Sequence, residues 1–166
     1  MTHAISISYF TRTIDSPLGA LSLYATRDAL AGVYFAEHQP PPPPALAAAA
    51  GAARHAVLDQ AAAELAEYFA GRRRTFTVAL APRGTRFQED VWDALARIPF
   101  GATWSYGEVA RAIGKPAAAR AVGAANARNP LSIIVPCHRV IGARGDTVGY
   151  AGGAGAKEWL LAHEAR

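Results

Sequence analysis

The sequence predicts a mixed α/β (α+β) chain in two parts, a small sheet-bearing N-terminal half and a helical C-terminal half. Three observations carry this expectation. Short runs of alternating or continuous apolar residues punctuated by turns crowd the first half. From Thr85 onward, apolar residues recur at helical spacing. Between the two lies Ala81-Pro82-Arg83-Gly84, a linker composition. The boundary is therefore placed there, giving domains 1–82 and 83–166. A chain of 166 residues buries roughly two-thirds of its unfolded surface, enough for a core without staples.

The elements follow in order. Ile5, Ile7 and Tyr9 alternate with Ser6 and Ser8, as in a half-buried strand. Asp15-Ser16-Pro17-Leu18-Gly19 reads as a turn between strands. Leu21 and Leu23, then Gly32-Val33-Tyr34-Phe35, give two more strands. The unbroken prolines Pro40 to Pro44 are a stiff spacer loop, or else a segment that docks an aromatic groove. Leu58, Ala61, Leu65, Tyr68 and Phe69 predict a helix from about Arg54 to Ala70. Arg72-Arg73-Arg74 is a charged hairpin end or a phosphate contact, and Phe76, Val78 and Leu80 alternate as a further strand.

In the second half, Thr85 caps a helix whose inner face is Phe87, Val91, Trp92, Leu95 and Ile98, stopped by Pro99 and Gly101. Ser105-Tyr106-Gly107-Glu108 is a capping box opening a short helix with Val109, Ala110 and Ile113 inward. Gly114-Lys115-Pro116 is a three-residue turn, and Ala117 to Ala127 form a helix of small residues from which Arg120 stands out. Two short helices about such a turn describe a helix-turn-helix, although many helical hairpins never meet DNA. A last helix carries Lys157, Trp159, Leu160 and Leu161, with Glu164 near its end.

Composition narrows the classes. Hydrophobic residues make up 51% and charged residues 18%, a globular balance. The single cysteine excludes an internal disulfide and a cysteine-pair zinc site, and favours a reducing cytoplasm. Met1 to Ser6 carry no signal-peptide pattern, and no apolar run is long enough to span a membrane. The net charge is +4. Between Glu108 and Asp146 there is no acidic residue, while Arg111, Lys115, Arg120, Arg128, Arg139 and Arg144 fall in that interval. Such a run is a solvated face or a phosphate-tracking surface; its cations flank Cys137, which favours the second.

Cys137 sits in Ile133-Ile134-Val135-Pro136-Cys137-His138-Arg139-Val140. Most lone cysteines are small buried hydrophobes. Here a proline interrupts the strand pattern, and the adjacent His138 and Arg139 are placed to lower the thiol pKa. Asn129-Pro130 marks a turn just upstream. Neighbours on an extended segment point apart, so the expected link from Cys137 to His138 is one water molecule. Glu164 reads as a surface carboxylate unless it orients His138 as the third group of a relay.

Pro136-Cys137-His138-Arg139-Val140 closely resembles the active-site signature of the O6-alkylguanine-DNA alkyltransferases, the methylated-DNA–protein-cysteine methyltransferases. The resemblance continues through Phe87-Gln88, Val91-Trp92, Ser105 to Glu108, Arg120 to Gly123, Asn129-Pro130, Gly149 to Gly153 and Leu160-Leu161. It is looser in the first half, where Ser16-Pro17-Leu18-Gly19 carries it. It implies a ribonuclease H-like N-terminal domain and a winged-helix-like C-terminal domain. It also implies a stand-alone repair protein that moves an alkyl group from O6 of guanine, and possibly from O4 of thymine, to Cys137, once and irreversibly. By this resemblance His138 takes the thiol proton through a water, Glu164 orients His138 and Asn129 braces the turn. Tyr106 donates a hydrogen bond to the base. The main chain at Cys137 and Val140 reads the guanine amino group, the Ala151 amide bonds O6, and Tyr150 and Gly152 line the alkyl pocket.

The same resemblance makes Arg120 the residue that fills the gap left by a flipped nucleotide. Ala121, Gly123 and Ala124 then suit a minor groove, with Ser105, Lys115 and Arg128 at the DNA face. The implied partner is double-stranded DNA bound without sequence preference by a monomer. No cofactor and no metal are implied. This sequence departs from some relatives in having Ala151 for serine and Ala127 for glycine. Two rival readings remain at this point: a non-catalytic helix-turn-helix DNA-binding protein, and a hydrolase or acyltransferase using Cys137 and His138.

Overall fold

The computed structural model describes residues 6–145 and 149–166. Ile5, the leader reading at the N-terminus and Asp146 lie outside the described residues. β1 (Phe10–Ile14), β2 (Leu21–Ala25) and β3 (Leu30–Phe35) form an antiparallel meander. β4 (Ala50–Gly51) adds in parallel beside β1, giving the order β3-β2-β1-β4. The β1–β2 turn closes with the Gly19 amide donating to Ser16 O at 3.0 Å, Gly19 taking a φ of 92°.

On β2, Leu21, Leu23 and Ala25 point inward and are buried, while Ser22 and Tyr24 are half-buried. The helix α2 (Ala56–Phe69) covers that face with Leu58, Ala61, Leu65 and Tyr68. On the other face Ala31 and Tyr34 pack with Leu46 of α1 (Pro44–Ala47), which the proline run introduces. That double cover is why β3 is buried along its whole length. β3 is also an edge strand, and irregular chain closes its free edge. The Leu30 amide donates to Ala79 O at 2.7 Å, and the Val33 amide to Pro130 O at 2.8 Å.

Two expected strands are corrected. The first begins at Phe10, because Phe10 already stands opposite Ala25 at the end of β2 and the described residues before it, 6–9, have no partner there; Ile7 is exposed. Phe76 to Leu80 form only one isolated bridge, Leu80 to Leu30. The Glu64 carboxylate takes the Thr77 and Val78 amides at 2.7 and 3.3 Å, so a side chain satisfies donors that a ladder would have used.

In the second half, α3 (Arg86–Leu95) opens with a Thr85/Gln88 capping box. It ends before Pro99, tightening as the Ile98 amide reaches Leu95 O. Next come β5 (Trp104–Ser105), α4 (Tyr106–Ala112), α5 (Ala119–Ala127), β6 (Val140–Ile141) and α6 (Ala154–Glu164). β5 and β6 pair in parallel. The turn between α4 and α5 is longer than three residues, and α5 starts at Ala119 rather than Ala117. Gly114 (φ 74°) and Lys115 cap α4 by donating to Arg111 O and Ala110 O, and the Ala118 amide then bonds Lys115 O before α5 begins. The Trp92 indole donates to Ala125 O at 2.9 Å, sewing α3 to α5. One hydrophobic cluster runs through both halves, from Leu23, Leu65 and Tyr68 to Trp92, Val122, Val135 and Leu160. Among the described residues no helix is long and apolar enough to cross a membrane.

Candidate active site

The segment from Asn129 to Arg139 is a knot of short-range bonds. The Asn129 side chain donates to Val135 O at 2.8 Å and accepts from the Leu131 amide at 3.0 Å. The Val135 amide returns to Leu131 O at 2.9 Å, and the Cys137 amide to Val135 O at 2.8 Å. Inside this knot Ile133 has a φ of 73°, a left-handed conformation that a β-branched residue tolerates only when its surroundings dictate it. Cys137 to Arg139 then form a single 3₁₀ turn rather than the extended segment expected.

Cys137 is buried with 2% of its surface exposed. Burial pushes the thiol up from its ordinary pKa; Asn129, Tyr150 and the positive Lys157 pull back against that. This corrects the expectation that His138 and Arg139 lower it. Arg139 is spent elsewhere. Its Nε lies 2.7 Å from Glu164 Oε1, its Nη2 3.0 Å from Oε2, and its Nη1 donates to Ile98 O at 2.7 Å.

Glu164 is buried, not a surface carboxylate. His138 Nε2 and the Tyr68 hydroxyl each reach its Oε2 at 2.7 Å. Burial alone would raise the Glu164 pKa, but hydrogen bonds from His138, Arg139 and Tyr68 outweigh it and hold the group ionised far below the usual carboxylate range. Burial pushes His138 down, against the pull of Glu164, so its ring is neutral near pH 7. A carboxylate only accepts, so the single ring proton is on Nε2. Nδ1 is left as a lone pair, buried and without a hydrogen-bond partner among the described residues.

The Asn126 side chain donates to Cys137 O at 3.4 Å, and Lys157 Nζ donates to Val140 O. The Cys137 carbonyl also accepts from the Val140 amide, which closes the 3₁₀ turn. Tyr150 and Ala151 are each 8% exposed, and the Tyr150 hydroxyl has no hydrogen-bond partner among the described residues. Gly152 is pressed against the Phe35 ring, where an added Cβ would come within 2.6 Å.

On α5, Arg120, Ala121, Ala124 and Arg128 are exposed along one side. Gly123 faces the Tyr106 ring, which an added Cβ would meet at 3.8 Å. Lys115 is exposed with its Nζ 5.2 Å from the Phe87 ring centre. The Ser105 hydroxyl accepts from the Glu108 amide at 3.1 Å, so this residue caps α4. Arg139 drops out of the cationic surface. Of the earlier arginine run, Arg73 binds Glu67 at 2.8 Å and Arg74 lies over the Phe100 ring, which fits the structural alternative for that run.

Sequence reasoning missed Tyr68, Asn126 and Lys157. Lys157, Leu160 and Glu164 share one face of α6 at helical spacing, a signal that could have exposed the lysine. No local pattern links Tyr68 to a carboxylate ninety-six positions away.

Residues 86–166 match the model of the 6-O-methylguanine DNA methyltransferase DNA-binding domain, and residues 9–82 that of the family's ribonuclease-like domain. A methylated-DNA–protein-cysteine methyltransferase of Methanosarcina acetivorans is 46% identical over 147 residues, covering 89% of this chain and 92% of the relative. This chain belongs to the methylated-DNA–protein-cysteine methyltransferase family. The solved O6-methylguanine methyltransferase of Mycobacterium tuberculosis superposes on it with a TM-score of 0.85 at 45% identity, covering 95% of this chain and 93% of that one. The Mycobacterium tuberculosis protein OGT in complex with DNA matches equally well, with a TM-score of 0.85 over 96% and 93% of the two chains. For a methyltransferase of this family, the acceptor cysteine has one possible residue here, since Cys137 is the only cysteine.

Proposed function

We propose that this methyltransferase repairs DNA by moving a methyl group from O6 of guanine onto Cys137 Sγ. The observation that carries the reading is the tautomer lock on His138, the residue that follows the sole cysteine: Glu164 holds the Nε2 proton and leaves Nδ1 free to act as a base. His138 Nδ1 takes the thiol proton through one water, the sulfur attacks the alkyl carbon, and the carbon–oxygen bond breaks. The departing guanine gains hydrogen bonds or a proton at the base edge, with Tyr106 as donor. A thioether forms and nothing in the site removes it, so each molecule acts once. A raised thiol pKa is consistent with this scheme, because the proton leaves during the reaction rather than before it.

In this reading Asn129 braces the turn, the Cys137 and Val140 carbonyls accept from the guanine amino group, and the Ala151 amide bonds O6. Tyr150 and Gly152 bound the alkyl pocket. Arg120 enters the stack in place of the flipped nucleotide, while Ala121, Gly123 and Ala124 let α5 lie close in the minor groove. Ser105, Lys115 and Arg128 flank that contact. The exposed cations and small side chains of α5 support binding without base reading. In this reading the partner is double-stranded DNA and the protein acts as a monomer. The reading divides the chain at 82/83 into a supporting and a reacting domain and places it in the cytoplasm. The test is stoichiometry. With excess O6-methylguanine duplex, wild type should stop at one repaired base per molecule and Cys137→Ala should repair none. Continued turnover, or repair by the alanine variant, would reject the proposal.

A further inference from the structure

His38, just beyond β3, is a buried histidine that the chemistry above does not use; 4% of its surface is exposed. Its ring packs against Tyr34 and Phe35, with centroids 4.6 and 6.3 Å apart. Nδ1 lies 2.8 Å from Pro40 O, and Nε2 lies 3.2 Å from Ser132 Oγ. Burial holds this imidazole below its ordinary pKa, so it is neutral near pH 7. A carbonyl oxygen only accepts, so Nδ1 carries the proton and Nε2 a lone pair. The Ser132 hydroxyl therefore donates to His38.

Ser132 is fully buried and immediately precedes Ile133, the residue with positive φ. The Tyr150 ring packs edge-on against Phe35, centroids 5.9 Å apart, and Phe35 is the ring that stacks with His38. The N-terminal half grips the same region twice more: the Val33 amide donates to Pro130 O at 2.8 Å and the Gln39 amide to Ala151 O at 3.1 Å. These are main-chain links that any sequence could make, whereas the His38 link depends on a ring nitrogen of defined polarity.

We propose that His38 is a positioning residue for alkyl transfer, fixing through Ser132 the strained turn that presents Cys137. The proposal rests on Cys137 being the acceptor. It makes the N-terminal half part of the reaction geometry rather than a scaffold.

Two isosteres separate the two ring nitrogens. The amide nitrogen of asparagine falls near Nδ1, so His38→Asn keeps the Pro40 bond and loses the acceptor for Ser132. The amide oxygen of glutamine reaches the Nε2 position, so His38→Gln keeps that acceptor. Single-turnover methyl transfer from an O6-methylguanine oligonucleotide is the readout, with duplex affinity measured beside it. His38→Gln should react within about twofold of wild type, and His38→Asn about tenfold more slowly, both with unchanged DNA affinity. Ser132→Ala should be as slow as His38→Asn, and the double variant no slower than either single one. A wild-type rate in His38→Asn, equal slowing in His38→Gln, or a full rate in Ser132→Ala would each overturn the proposal. If His38→Asn does not fold, Ser132→Ala alone decides. No transfer by wild type would instead remove the Cys137 reading, so the two failures are distinct.

Discussion

The buried flank of Cys137 and the exposed face of α5 are built by opposite rules. Behind the cysteine, both oxygens of Glu164 are bonded, by Arg139, His138 and Tyr68, within 3.0 Å. Along α5 the exposed residues are alanines and Arg120, with Arg128 exposed at its C-cap about two turns on. The first is a fixed electrostatic device, in which removing one member leaves the others buried and uncompensated. The second is a thin, positively charged surface suited to a uniform phosphate backbone. The carboxylate behind the cysteine is thus held from every side, while the surface proposed to meet DNA carries little that could prefer one sequence.

The contrast is broken most severely at Glu164. Glu164→Gln leaves Arg139 buried opposite a neutral group and should cost about 3 kcal/mol in urea unfolding. It should also slow methyl transfer by about a hundredfold while leaving DNA affinity nearly intact. An unchanged rate would remove Glu164 from the mechanism. Arg120→Ala should come next, slowing repair in duplex about tenfold, with little change on single strands or free O6-methylguanine base. Equal losses on all three would deny it a role in flipping.

Acid should erode the buried flank before the surface. His138 and Glu164 both titrate in the folded chain below their ordinary values of 6.5 and 4.5. The unfolded chain therefore binds more protons, and stability falls as pH drops, first below about 6.5 through His138 and then below about 4.5 through Glu164. Urea midpoints from pH 8 to pH 4 should decline in that order; a flat profile contradicts the assignment. The transfer rate should hold from pH 8 to 6.5 and fall only below that, as the Nδ1 lone pair is lost. The smallest effect is expected from Arg73→Ala, because that guanidinium is paired to Glu67. Its duplex affinity should match wild type, and a marked loss would extend the DNA surface onto the first half.

The sequence was most readable where the governing interactions are local. The cap at Thr85, the capping box at Ser105 and the position of the lone cysteine follow from neighbours within a few residues. So do the small side chains of α5. It was misleading where a distant side chain intervenes. Glu64 reaches across to take the amides of Thr77 and Val78 and unmakes an expected strand. Arg139 looked like a partner for its neighbour Cys137, yet it turns to Glu164, twenty-five positions on. The thiol pKa was misjudged for the same reason, since burial is a property of the packed chain and not of adjacent residues. His38 and Tyr68 carry no motif at all; only the docking of β3 and α2 against the second half brings them to the site.

The decisive measurement is the intact mass of the protein, with peptide mapping, after one equivalent of O6-methylguanine duplex. One added methyl group should appear, confined to the peptide that contains Cys137. An unshifted mass on folded protein, or a methyl group on any other residue, would contradict the assignment of that sulfur as the acceptor.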